Sequence, residues 1–395
     1  MNSTPESTAR GFLAGEFEDR LRRAQTAMDK AEITVLLLTT EPEIRYFSGF
    51  LTRFWESPTR PWFLIVPRNG EVVAVIPSIG AHLMGQCGVG DIRTWAAPNY
   101  QDDGLSLLAD ALCDIVPDGE TIALPMGLES HLRMPLDDFD RLKGRLGERR
   151  LASDDGIMRQ LRLVKSKAEI AKLASACQIA GRAFARVPEI ARSGVPLSEI
   201  FRRFQVLCLD EGADWVPYLA GAAGQGGYGD VISPATETPL SPGDILMLDT
   251  GLVWDGYFCD FDRNFSVGTP VATVRAAHAR LIEATAAGFE ASNPGATAAD
   301  VFHAMDQVLT GGQGGGAGAS AGRLGHGLGM QLTEWPSLIP ADHTVLEPGM
   351  VLTLEPSIET AAGNILVHEE NIVVKSNGAA YLSQPSDAEI PVLEP

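Results

Sequence analysis

The sequence predicts two domains in one chain: an α/β N-terminal domain, then an α+β C-terminal domain built on an antiparallel sheet. Three observations predict it. The chain has 395 residues, more than one hydrophobic core normally serves. Its first 155 residues alternate strand-like and helix-like stretches, the mark of an α/β layer. From Leu324 onward it alternates strands with turns.

The first domain is expected over residues 13–155. Residues 1 to about 12 are polar and carry no periodic pattern. From Phe17 to Lys30 a helix puts Leu21, Ala24 and Met28 on one face. Ile33 to Leu38 reads as a buried strand. Trp62 to Pro67 and Glu71 to Ile76 read as a hairpin closed by Asn69-Gly70. Helical patterns return at Leu105 to Cys113 and Leu136 to Leu146.

The second domain is expected over residues 160–395. A capping box, Ser166 to Glu169, opens a charged helix from Lys165 to Ala185 at the joint between the domains. There follow a helix (Leu197 to Glu211), a glycine-rich loop (Gly221 to Gly229) and a strand hairpin (Asp244 to Val267). Helices are predicted at Val271 to Ala291 and Ala298 to Leu309. The low-complexity run Gly311 to Gly322 reads as a flexible loop. Neither glycine-rich run carries a Walker pattern or a lysine, so neither reads as a phosphate loop.

Composition narrows the function. With 51 acidic against 31 basic residues the net charge is −20, which excludes a nucleic-acid binder and docking on anionic membranes. Met1 to Glu6 lacks the basic and apolar regions of a secretory leader, and no apolar run is bilayer-sized. Five scattered cysteines without a CxxC pair fit reduced thiols. A cytoplasmic protein is expected.

The chemistry lies in four carboxylates. Leu246-Met247-Leu248 runs straight into Asp249, although aspartate is depleted from strands. Asp260 and Asp249 are equidistant from the Trp254–Asp255 bond, and Asp255-Gly256 supplies turn chemistry. A hairpin closed there sets the two carboxylates across the ladder, within a residue of register. Like charges so placed repel unless a cation lies between them. The pattern repeats: Glu355 ends an apolar strand, and Glu369 lies equally far beyond Ala362 in a turn-prone stretch. Four carboxylates with one imidazole suit two divalent ions better than one. His326, between glycines that permit close approach, is the natural imidazole.

Five motifs in order carry a resemblance. Pro242-Gly243-Asp244 leading to Asp249-Thr250-Gly251 is the first, and Asp260 with Arg263 and Phe265 the second. Gly325-His326-Gly327-Leu328-Gly329 is the third. Pro348-Gly349-Met350 through Glu355-Pro356, then Glu369-Glu370-Asn371-Ile372, complete the set. Over essentially its whole length the chain resembles the methionine aminopeptidase, prolidase, aminopeptidase P and creatinase group. The resemblance implies a creatinase-like N-terminal domain and a pita-bread C-terminal domain. It implies two divalent metals, manganese first and iron, cobalt or zinc also suited, held by Asp249, Asp260, His326, Glu355 and Glu369. Asp249 and Glu369 would each touch both metals, and the motif favours Glu369 over its neighbour Glu370. A bridging water would attack a C–N bond, as in Xaa-Pro peptidases. The family habit further implies a homodimer whose N-terminal loop covers the neighbouring site, with Arg53 and Trp55 as substrate contacts.

Two departures bear on activity. Peptidases of the group carry a second histidine seven residues after the first, where this chain has Thr333, followed by Glu334 and Trp335. They also carry a histidine before the first aspartate, and here none lies between His131 and His278. Those imidazoles move protons to the leaving nitrogen. Thr333, Glu334, Asp230, Tyr228 and His368 are therefore the catalytic candidates, and weak or absent turnover of Xaa-Pro dipeptides is expected. The remaining histidines lack motif context and read as structural or exposed. The leading reading is a binuclear metal-dependent hydrolase acting on a dipeptide or another small molecule. The alternatives are a dimethylsulfoniopropionate-type lyase and an amidinohydrolase- or ectoine-hydrolase-like enzyme. A silent binding module fits less well, because all five ligands are present.

Overall fold

The helix α1 (Ala14–Lys30) buries Arg20, Ala24 and Met28 at helical spacing, with Leu21 half-buried beside them. Its Arg20 guanidinium donates to the Tyr46 carbonyl and lies over the Tyr46 ring, so a charge is accommodated where a leucine was expected. The structure, a computed structural model, describes residues 9–57, 60–312, 322–360 and 363–395. The chain divides into two units, Ala9–Arg162 and Leu163–Pro395.

In the first unit α1 is followed by β1 (Val35–Leu38), α2 (Glu41–Ser48), β2 (Phe63–Pro67) and β3 (Val73–Pro77). Then come α3 (Ala81–Gln86), β4 (Asp91–Trp95), α4 (Leu105–Ile115), β5 (Thr121–Leu124), α5 (Leu136–Arg145) and β6 (Arg150–Ser153). The six strands form one mixed sheet in the order β4-β3-β2-β1-β5-β6. The predicted hairpin forms, but its innermost pair is Ile65↔Val73, so the connection is longer than an Asn-Gly turn. The end of β2 is taken up by β1 instead, through Val66↔Leu36 and Pro67↔Val35. Leu105, Leu108 and Leu112 of α4 and Leu142 of α5 pack on Val35, Leu37 and Ile65 of the sheet. This is the expected α/β layer.

The second unit begins at the end of α6 (Ile157–Leu163). The predicted capping box is present on α7 (Lys167–Ala185): Ser166 Oγ accepts from Glu169 N, and Glu169 accepts from Ser166 N at 2.9 Å. Next come α8 (Leu197–Asp210), β7 (Trp215–Gln225), β8 (Asp244–Trp254), β9 (Tyr257–Phe258) and β10 (Phe261–Val267). The helices α9 (Ala272–Ala291) and α10 (Ala298–Thr310) precede short strands: β11 (His326–Gly327), β12 (Glu334–Ser337), β13 (Val351–Leu354) and β14 (Ser357–Glu359). The chain closes with β15 (Ile365–Val367), β16 (Glu370–Lys375), β17 (Gly378–Tyr381) and β18 (Val392–Leu393). One sheet runs β18-β10-β8-β7 and another β12-β11-β13-β16-β17. Every pairing is antiparallel except β10 with β18.

Strand β8 organises this unit because both its faces are buried. Leu246, Leu248 and Leu252 pack against α7 and α8. Ile245 and Met247 point the other way, into the core shared by α9, α10, β13 and β16. Asp249 follows Met247 on that second face, which places a carboxylate between the sheets.

One expectation is corrected here. Gly221 to Gln225 is the end of β7, not a loop. The glycines serve close approach: a Cβ on Gly221 would run into the Met247 carbonyl, and one on Gly224 would crowd the Gly227 carbonyl. Most of the run Gly311 to Gly322 lies outside the described residues. Among the described residues no helix is long and apolar enough to cross a membrane.

Candidate metal centre

Two hairpins build the centre. In the first, β8 and β9 are joined through Asp255-Gly256, whose φ values of 48° and 81° are those of a type I′ turn. The turn sits one residue beyond the predicted point, so every partner shifts by two. Asp249 therefore pairs with Asp262, and Asp260 lies two residues off. A shift of two preserves the face, so Asp260 still points the same way as Asp249. The second hairpin has the predicted register: Leu354 pairs with Glu370 and Ser357 with Val367. Glu355 and Glu369 thus stand opposite each other in the gap between these two ladders. The predicted turn centre, Ala362, lies outside the described residues.

His326 enters from β11, whose Gly327 pairs with Leu352 of β13. A Cβ on Gly327 would collide with the Trp335 carbonyl, and one on Gly325 with the Thr353 carbonyl. Only glycines let the strand pass so closely. Nδ1 of His326 lies 2.8 Å from the Gly327 carbonyl. A carbonyl oxygen only accepts, so Nδ1 carries the hydrogen and Nε2 presents its lone pair. Nε2 lies 3.3 Å from Asp260 Oδ2, two acceptors facing each other.

Ligand atoms of Asp260, His326 and Glu369 all lie within 4.8 Å of one another, and all three residues are buried. Asp249 Oδ1 and Glu369 Oε1 are buried without any hydrogen-bond partner. Tyr218 donates to the other oxygen of Asp249 at 3.1 Å. Asn371 accepts from Asp260 N and donates to Asp260 O, which fixes that residue's backbone.

Burial raises the carboxyl pKa values of Asp249, Asp260, Glu355 and Glu369, and mutual repulsion adds to it. His326 and Arg323 act the other way on Glu355, and Arg323 does so on Asp260. Orphaned carboxylate oxygens, a histidine with its lone pair turned inward and a mixed N/O donor set fit divalent cations.

The other predicted residues are placed as follows. Thr333 Oγ1 accepts from Arg323 Nη2 at 3.4 Å, at the edge of the cluster. Glu334 is buried in an ion pair with Lys165 at 3.1 Å and accepts from Gln331 N. Tyr228 is buried, donating to Asn264 Oδ1 and accepting from Val367 N, so its hydroxyl braces the strands. Asp230 is exposed and closes a turn onto Ile232 and Ser233. The buried ring of His368 lies 3.3 Å from Glu370 Oε1 and 3.7 Å from Asp262 Oδ1. Glu370 itself is engaged by Arg263, Ser383 and Ser386, leaving Glu369 to the cluster. Arg53 and Trp55 belong to the first unit, where Arg53 pairs with Glu56 and Trp55 lies beneath Arg133.

Asp262, Tyr218 and Arg323 stand outside every residue the motifs single out, and Asn371 stands in the last motif without a role assigned to it. Asp262 had a signal, since it stands two residues from Asp260 in a strand and so shares its face. Tyr218 had none, because its contact depends on the long β7–β8 pairing.

Two family profiles together match most of the chain. The profile of metallopeptidase family M24 matches residues 171–376, and that of the creatinase/prolidase N-terminal domain matches residues 20–164. The chain belongs to metallopeptidase family M24. As an M24 protein it is a metal-dependent hydrolase with the pita-bread architecture, and the family implies divalent metal ions. Among its relatives, the Xaa-Pro dipeptidase of Pyrococcus furiosus is 24% identical over 373 residues, 93% of this chain and 98% of that one. The probable dipeptidase PepE of Mycobacterium bovis is 28% identical over 376 residues, 95% of this chain and 96% of the other. The crystal structure of dipeptidase PepE from Mycobacterium ulcerans matches with a TM-score of 0.81 at 28% identity, covering 98% of this chain and all of that one. A prolidase from Thermococcus sibiricus matches in fold with a TM-score of 0.84 at 23% identity, over 97% of this chain and 100% of its own.

Proposed function

We propose that this M24 protein is a two-metal hydrolase cleaving the amide bond of dipeptide-sized substrates of the Xaa-Pro class. One observation carries the reading: the convergence of Asp260, His326 and Glu369 beside the orphaned oxygens of Asp249 and Glu369. Asp249, Asp260, Glu355, Glu369 and His326 would hold the ions, manganese foremost by its preference for carboxylate oxygen. When bound, two divalent ions supply Lewis acidity to the amide carbonyl and lower the pKa of water.

The chain's own groups do the rest. The hydroxyl of Tyr218 fixes one oxygen of Asp249, and the Gly327 carbonyl fixes the His326 ring. Glu355 is the least buried of the four carboxylates. It would take a proton from water and return it to the leaving nitrogen. Thr333 offers one hydroxyl hydrogen bond and no proton shuttle near neutral pH. Arg323 brings a positive charge to this edge, suited to the free carboxylate of a dipeptide. The dipeptidases among the relatives support the substrate class. The family habit supports a homodimer, and the five scattered thiols support a cytoplasmic site of action.

A turnover screen of the manganese-loaded protein tests this. Xaa-Pro dipeptides should be cleaved and Glu355→Gln should abolish it, while creatine-like amides, ectoine-like amides and dimethylsulfoniopropionate should remain intact. Turnover of one of those last three, with dipeptides untouched, would overturn the assignment.

A further inference from the structure

Asp262 is a buried carboxylate that the proposed chemistry does not use. It stands directly across the β8–β10 ladder from Asp249, on the face that points between the sheets. Its Oδ1 accepts from the backbone N–H of Glu369 at 2.9 Å, so one carboxylate holds the chain position of another. Its Oδ2 is buried with no hydrogen-bond partner.

The neighbouring groups compensate it only in part, through the charge of Arg263. His368 Nε2 lies 3.3 Å from Glu370 Oε1, and a carboxylate only accepts, so Nε2 carries the hydrogen. In the neutral ring Nδ1 then faces Asp262 Oδ1 at 3.7 Å with a lone pair, and it too is unpartnered. The Arg263 guanidinium is directed to the backbone carbonyls of Asp262, Glu369 and Gln384 and to the Glu370 carboxylate. A buried anion with one backbone donor is costly unless a cation lies nearby.

We infer that Asp262 is a positioning residue of the metal centre, anchoring Glu369 through Oδ1 and adding through Oδ2 a fifth negative charge that bound cations compensate. This rests on the metal reading of the cluster. It gives the residue opposite effects in the two states of the protein. Without metal the charge is a burden on the fold; with metal it strengthens the site.

Asp262→Asn separates this role from a plain structural one, because the amide oxygen still accepts from Glu369 N while the charge is gone. The measurement is Mn²⁺ affinity by chelator competition, alongside thermal unfolding of the metal-free protein at pH 8. The variant should bind Mn²⁺ about 10- to 100-fold more weakly, yet unfold at a higher temperature when metal-free. Asp262→Ala, which loses the acceptor too, should bind more weakly still. Equal Mn²⁺ affinity in wild type and Asp262→Asn would overturn the inference and leave the metal centre standing. A lower unfolding temperature of the metal-free Asn variant would also overturn it, assigning Asp262 to the fold alone. A wild type that binds no Mn²⁺ would overturn both.

Discussion

Lys165 and Glu334 form an ion pair at 3.1 Å with both side chains almost wholly withdrawn from solvent. Glu334 also accepts from Gln331 N and abuts Gly329, so the pair braces the segment that leaves His326. Removing one partner of a buried pair strands the other charge and typically costs about 3–5 kcal/mol. Glu334→Ala should therefore lower unfolding stability by about that much in denaturant titrations. The double variant Lys165→Met with Glu334→Leu should recover most of it. An unchanged midpoint for Glu334→Ala would show that the pair does not brace the fold.

The massed carboxylates give the metal-free protein an unusual pH dependence. Asp249, Asp260, Glu355 and Glu369 all have folded pKa values raised above the ordinary carboxylate range. Between the unfolded and the folded values the native state binds more protons, so stability falls as pH rises through the folded values. Denaturant midpoints of the chelator-treated protein should therefore drop as pH rises above the ordinary carboxylate range of about 4. Divalent metal should restore stability at the higher pH values and do little at the lower, where protons compete for the ligands. A metal-free protein that gains stability over the same rise in pH would show that the four carboxyls are not clustered in solution.

How much of this was legible in the sequence depends on turns. The register of Glu355 and Glu369 could be counted from the chain because both lie equally far from Ala362. The same counting misplaced Asp260, since the turn uses Asp255 and Gly256 as its central pair and not the Trp254–Asp255 bond. One residue at the turn became two along the ladder, which hid the Asp249↔Asp262 pair. Gly221 to Gln225 has the composition of a loop, whereas it pairs with β8 and a Cβ on Gly221 would meet the Met247 carbonyl. The short strands β4, β5 and β6 left no clear period, and tertiary pairing defines them.

Thr333 should govern the rate of peptide cleavage. With a hydroxyl where an imidazole shuttle would act, wild-type turnover of Xaa-Pro dipeptides should be slow. The absence of one proton-transfer group typically forfeits about 10²–10⁴ in rate. Thr333→His should raise kcat for such dipeptides by tenfold or more, with a new dependence on a group titrating near the histidine value of about 6.5. Brisk wild-type cleavage, or a variant with no gain, would show that position 333 does not limit the rate and that Glu355 suffices for the proton transfer.

Metal content tests the central claim most directly. Elemental analysis of purified wild-type protein and of Asp260→Ala, each dialysed against the same divalent ion, compares the intact cluster with one that lacks a member. About two divalent ions per chain are expected in the wild type, and loss of that binding in the variant. Undiminished binding by Asp260→Ala would contradict the assignment of Asp249, Asp260, His326, Glu355 and Glu369 as the metal centre.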